Sequence, residues 1–202
     1  MRLAFFGGTF DPVHRGHIAI ARAAVGQFGL DEVLFAPVGR QPLKAKTAEA
    51  SFTDRIAMIR LASEGFVSTA RMSASEIDAP KPGGEPNYTV DTLEQLARER
   101  PDADLFAISG ADSFLTLRSW RSPVRLLELA QWIVVSRPGF PLSLASLGLT
   151  DEQLRRVHLL ATVHEDVSAS ELRRRIRAGE DCSDWITAPV MQYIREHGLY
   201  GA

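Results

Sequence analysis

His14 and His17 stand three residues apart in the run Gly7-Gly8-Thr9-Phe10-Asp11-Pro12-Val13-His14-Arg15-Gly16-His17, which directly follows the apolar stretch Leu3 to Phe6. An apolar run that stops at two glycines reads as a buried strand entering a loop. Two imidazoles at a helix start join backbone N–H groups that already favour an anion. They can donate hydrogen bonds to phosphate oxygens and, if protonated, offset charge that develops during transfer. Thr9 adds a hydroxyl donor, and Gly7 and Gly8 let the backbone approach a ligand closely. The run has neither the GxGxxG of a dinucleotide fingerprint nor the GK[ST] of a P-loop. A lone histidine in a turn is usually incidental, but a pair in this setting points to phosphate chemistry.

A second set of groups lies near the other end of the chain, in Val167-Ser168-Ala169-Ser170-Glu171-Leu172-Arg173. Ser168 with Glu171 three residues on has the form of a capping box, so a helix starts here with exposed N–H groups. Ser170 offers a hydroxyl, and Arg173 can pair with phosphate oxygens in bidentate fashion. Arg174, Arg175 and Arg177 continue the basic run and read as a solvated helix face.

These groups need a frame to bring them together. Apolar runs at Leu3–Phe6, Val33–Ala36, Leu105–Ile108, Trp132–Val135 and Val157–Leu160 read as buried strands. Helical spacing lies between them at about 16–28, 53–64, 89–98 and 112–117, and again in the tail at about 171–178 and 189–197. Gly29 suits the first helix stop, and the Pro- and Gly-rich stretch 79–86 reads as a surface loop without regular structure. Buried strands separated by helices imply a doubly wound, Rossmann-like parallel sheet with helices on both faces and a small C-terminal helical extension. At 202 residues one domain is expected, with residues 165–202 completing the phosphate site.

Composition narrows the class. The net charge is −2, from 23 basic and 25 acidic residues, which argues against a general nucleic-acid binder. Anions must therefore be handled by a few placed groups and not by the overall field. The one cysteine, Cys182, forms no intrachain disulfide and no thiol metal site. With no signal-like N-terminus and no membrane-length apolar run, a soluble cytoplasmic protein without a membrane partner is expected. Oligomeric state, a homodimer included, stays open.

The first run resembles the [GT]xFDPxHxGH segment of the HxGH nucleotidylyltransferase superfamily, and 167–173 is similar to its ISSTxIR motif, with Ala169 in place of the second serine. Further segments resemble bacterial nicotinate-nucleotide adenylyltransferases. Asn87-Tyr88-Thr89-Val90-Asp91-Thr92-Leu93 is similar to SYTxxTL. Ile108 to Phe114 with Leu117 and Trp120 resembles GxDxxxxLxxW, Ser136-Arg137-Pro138-Gly139 matches RPG, and Tyr193 to Tyr200 resembles YIxxxGLY. The likeness runs from about Leu3 to Tyr200.

This resemblance implies adenylyl transfer from ATP to nicotinate mononucleotide, giving the deamido dinucleotide and pyrophosphate, with magnesium carried on the triphosphate and no dedicated metal cage. It implies catalytic roles for His14, His17, Lys44 and Arg173. It implies an ATP site of Gly7, Gly8, Thr9, Phe10, His14, Gly16, His17, Gly110, Asp112, Ser168, Ser170 and Arg173. The acceptor mononucleotide falls to Thr9, Lys44, Tyr88, Thr89, Trp120, Arg121 and Arg137. A cationic pyridinium stacks well on the Trp120 indole, although a core role for that ring is the bland alternative. Trp132 and Trp185 read as packing. One departure stands in 37–44, where Leu43 replaces the histidine of the family's PxxxPPHK and Lys44 is kept; Arg40 is a candidate to compensate. The rival acceptors are the amide mononucleotide and phosphopantetheine, and the rival of another class is a non-catalytic nucleotide sensor.

Overall fold

In the computed structural model, which describes residues 1–42, 48–64, 70–136, 143–160 and 168–202, the strands form one parallel sheet. They are β1 (Arg2–Gly8), β2 (Glu32–Pro37), β3 (Arg71–Ala74), β4 (Asp104–Gly110), β5 (Gln131–Val135) and β6 (Val157–Leu160), in the order β3-β2-β1-β4-β5-β6. Chain order reverses between β1 and β4, which opens a crevice at their carboxyl ends. Gly7 and Gly8 of β1 and Gly110 of β4 end at that crevice.

Successive side chains on a strand point to opposite faces, and both faces are covered. On one face Ala4, Phe6, Phe35 and Ile108 pack with α1 (Arg15–Phe28), α2 (Phe52–Glu64), α7 (Ala169–Arg177) and α8 (Ala188–Glu196). On the other, Leu3, Phe5, Leu34 and Ala107 pack with α3 (Thr89–Glu99), α4 (Ala111–Phe114) and α5 (Pro123–Leu129). Gly29 ends α1 in the left-handed conformation, φ 59°, which only glycine adopts without strain. Trp132 is buried, its indole donating to the Leu126 carbonyl at 3.1 Å, and Trp185 packs beneath Arg175.

The expected strands are all present, and four features differ from the sequence reading. β3 is a sixth strand that pairs only with β2 at the sheet edge; its four residues, Arg-Met-Ser-Ala, carry too little apolar signal to announce it. The helix expected over 112–117 stops at Phe114, and a separate 3-10 turn spans Leu117–Ser119. α5 and the short α6 (Asp151–Leu154) were not expected, and the 79–86 loop contains a 3-10 turn at Pro82–Gly84. Among the described residues, no helix is long and apolar enough to cross a membrane.

Candidate active site

The β1–α1 loop reaches the crevice with His14 as the N-cap of α1 and His17 at its third position. The two rings lie 3.8 Å apart, centroid to centroid, tilted by 37°. His17 Nδ1 accepts from the His14 backbone N–H at 3.2 Å, so a neutral His17 carries its proton on Nε2. Burial lowers the His14 pKa to about 4, and burial together with the neighbouring His14 holds His17 well below 6.5. Burial thus favours the neutral form of both rings, which offers N–H donors to an anion. Another helix-start donor is already used, since Arg15 N–H donates to the Trp185 carbonyl at 2.7 Å.

The glycines serve packing as well as access. A Cβ on Gly7 would lie 2.7 Å from the Phe5 ring, and one on Gly8 would lie 2.9 Å from the Phe10 ring. Phe10 itself is buried, edge-on to His17 at 4.9 Å, and so supports the histidine from below. Gly16 is buried in the first turn of α1. Thr9 offers its carbonyl to Arg55, which also holds the Val38 carbonyl, each at 2.9 Å.

Arg173 reaches this corner from α7. Its Nη1 donates to the Asp11 carbonyl at 2.7 Å, Nε faces Glu49 Oε1 at 2.8 Å, and Nη2 donates to Ser170 Oγ at 3.4 Å. Glu49 also pairs with Arg177. Ser168 caps α7 by accepting from Glu171 N–H at 3.2 Å. The reciprocal half of the expected capping box is missing, because the Glu171 carboxylate pairs with Arg174 and Arg175 instead. A charge-assisted pair outcompetes one backbone N–H. Of the basic face expected at 174, 175 and 177, Arg174 and Arg177 are exposed, whereas Arg175 is half-buried over the Trp185 ring.

A cleft of about 570 Å³ runs from Gly7 and Gly8 past Gly110 and Asp112 to Tyr88, Thr89, Trp120 and Arg121. Trp120 is half-buried, its indole N–H donating to Thr116 Oγ1 at 3.0 Å and its edge meeting Trp132 at 5.6 Å, so one ring face is presented rigidly. Tyr88 caps α3 and lies 4.7 Å under the Arg121 guanidinium. Arg40 is committed to the Gly84 carbonyl. Lys44, Leu43 and Arg137 lie outside the described residues.

Sequence reasoning left Asp11 without a role. It is buried, accepts from the backbone N–H groups of Glu49 and Ala50 at 2.8 and 3.0 Å, and from the Tyr200 hydroxyl at 2.7 Å. Burial and the Asp11 carboxylate keep that phenol protonated. Asp11, Glu49, Arg55 and Tyr200 have no spacing signal in common; an acid inside a motif loop followed by proline was the sole hint.

A histidine pair on the β1–α1 loop, an arginine from α7 that bonds the same loop, and an aromatic cleft that starts at Gly7 and Gly8 meet at the switch point; this arrangement is the candidate site of a nucleotidyltransferase. The cytidylyltransferase-like family model matches residues 5–175. The chain is 39% identical over 201 residues to a probable nicotinate-nucleotide adenylyltransferase of Leifsonia xyli, covering 98% of this chain and 94% of the relative. It is 36% identical over 200 residues to the like-named protein of Thermus thermophilus, covering 99% and 100%. The chain belongs to the cytidylyltransferase-like family, among its nicotinate-nucleotide adenylyltransferases. The fold is similar to that of Plasmodium falciparum nicotinic acid mononucleotide adenylyltransferase complexed with NaAD. That match has a TM-score of 0.77 and 19% identity, covering 98% of this chain and 97% of that one.

Proposed function

We propose that the protein transfers the adenylyl group of ATP to nicotinate mononucleotide in the cytoplasm, giving nicotinate adenine dinucleotide and pyrophosphate. The acceptor phosphate oxygen attacks the α-phosphorus, the bond to the bridging β-phosphate oxygen breaks, and pyrophosphate leaves with its Mg²⁺. The acceptor phosphate is already ionised, so the residues supply position and charge stabilisation and no general base. His17 Nε2–H and His14 face the triphosphate, and Ser168, Ser170 and Arg173 flank it. Thr9, Lys44 and Arg137 serve the phosphates between the two substrates, and Asp112 and Gly110 serve a ribose. The pyridinium stacks on Trp120, with Tyr88, Thr89 and Arg121 around its acid group. Mg²⁺ arrives as part of the nucleotide. The 202 residues act as one unit, with residues 165–202 closing the phosphate corner.

The observation that carries this reading is the continuous cleft from Gly7–Gly8 to Trp120, with the histidine pair on the loop that leads out of Gly8. Donors around the far end suit a carboxylate, which accepts from several at once, better than a carboxamide, which must donate from one end. Pyrophosphate release measured with ATP and either the acid or the amide mononucleotide tests it. The acid is expected to be the better substrate; equal efficiency overturns the acceptor assignment, and no release with either overturns the reaction.

A further inference from the structure

We infer that Asn87 is a positioning residue that joins two loops into one wall of the acceptor cleft, an inference that rests on the proposed function for the acceptor's identity. Asn87 is buried. Its backbone N–H donates to the Arg40 carbonyl at 2.8 Å while its Oδ1 accepts from Arg40 N–H at 2.9 Å, so it grips both sides of one residue. Its Nδ2 donates to the carbonyls of Asp78 and Ala79 at 3.1 and 2.8 Å. One carboxamide therefore satisfies three backbone groups, on the loop after β2 and the loop after β3.

The junction is tight from the other side as well. Gly39 N–H donates to the Asp78 carbonyl at 2.8 Å, and a Cβ on Gly39 would lie 2.5 Å from Pro80 N. Asp78 in turn accepts from Thr92 Oγ1 at 2.9 Å, which ties the same junction to α3. Val38, Gln41 and Pro42 line the cleft from one loop, Tyr88 and Thr89 from the other, with Trp120 among the residues that complete it. Tyr88 directly follows Asn87, so the carboxamide adds three bonds to the backbone contacts that hold the start of α3 against the β2 loop. No other side chain type does this at the same size. Aspartate keeps the grip on Arg40 N–H and loses both donations, setting lone pairs against two carbonyls.

The test is Asn87→Ala and the isosteric Asn87→Asp, with steady-state kinetics, thermal unfolding and hydrogen exchange on the same samples. Both variants are expected to raise the KM for nicotinate mononucleotide about tenfold or more. The KM for ATP and kcat are expected to stay within about twofold. Exchange is expected to speed up at 38–42 and 78–89 together, and not in β5. Kinetics read well below the unfolding midpoint that show an unmoved mononucleotide KM, or one that rises in step with the KM for ATP, overturn the clamp. So does faster exchange confined to the 78–89 segment, which needs no turnover to observe. If the wild-type enzyme prefers the amide mononucleotide or phosphopantetheine, the functional reading falls, and the clamp still requires that acceptor's KM to rise.

Discussion

At the scale of single residues, the phosphate corner contains a competition. Each nitrogen of Arg173 has a hydrogen-bond partner within the chain, and the charged one is the Glu49 carboxylate at 2.8 Å, itself exposed enough to leave. A triphosphate that pairs with Arg173 must displace that carboxylate. Glu49→Gln is expected to lower the KM for ATP, by up to about fivefold, the value of a partly exposed ion pair. A raised KM for ATP would show that Glu49 helps to place Arg173 and does not compete for it. His17 is different in kind: with Nδ1 accepting from His14 N–H, its Nε2–H is the donor that the proposed mechanism turns to the phosphate. His17→Ala is expected to cut kcat by about 10²-fold, the scale of losing one aligned donor. Near-normal pyrophosphate release from that variant would remove the histidine from the mechanism.

At the scale of elements, the start of α1 stores a pH dependence. Burial lowers the His14 pKa to about 4 in the folded chain, against 6.5 when unfolded, and holds His17 well below 6.5 with help from its neighbour. Below pH 6.5 the unfolded chain therefore binds protons that the folded chain refuses. Stability is full above about pH 6.5 and falls as the pH drops towards about 4, with His14 accounting for at most about 3 kcal/mol. Urea unfolding across pH 7.5 to 5 measures the slope, and His14→Gln is expected to flatten it. An unchanged slope in that variant would place the proton-linked destabilisation elsewhere.

At the scale of the whole molecule, the two ends of the chain meet at Asp11. Tyr200, in the last 3-10 turn (Leu199–Gly201), donates to its carboxylate, and Arg173 donates to its carbonyl. The β1–α1 loop is thus held by residues from the far end of the sequence. Tyr200→Phe removes a donor from a buried acceptor, at about 1–2 kcal/mol, and is expected to lower the unfolding midpoint by about 2–8 °C. A midpoint equal to wild type would show that the two backbone N–H groups on Asp11 suffice.

Much of this was legible in the order of residues. The runs at β1, β2, β4 and β5 appear as strands because a strand buried on both faces has to be apolar, while β6, at an edge of the sheet, carries His158 and leaves Leu159 exposed. The histidine pair and the serine–arginine helix start declared themselves by local spacing, since helix ends need caps and phosphates need donors at fixed offsets. The edge strand β3 did not, having one strand neighbour and few apolar residues to reveal it. Nor did the grip of Asn87 on Arg40, the hold of Tyr200 on Asp11, or the occupation of Arg173 by Glu49. These contacts span 47, 189 and 124 positions of sequence. The sequence by itself determined a parallel nucleotide-binding sheet and the residue types at its switch point, because those follow from periodicity and capping. Only the tertiary structure decided that burial disfavours the charged histidines, that Glu49 meets the arginine and that Asn87 bonds two loops together. Burial and the meeting of distant polar groups exist only once the chain has closed on itself.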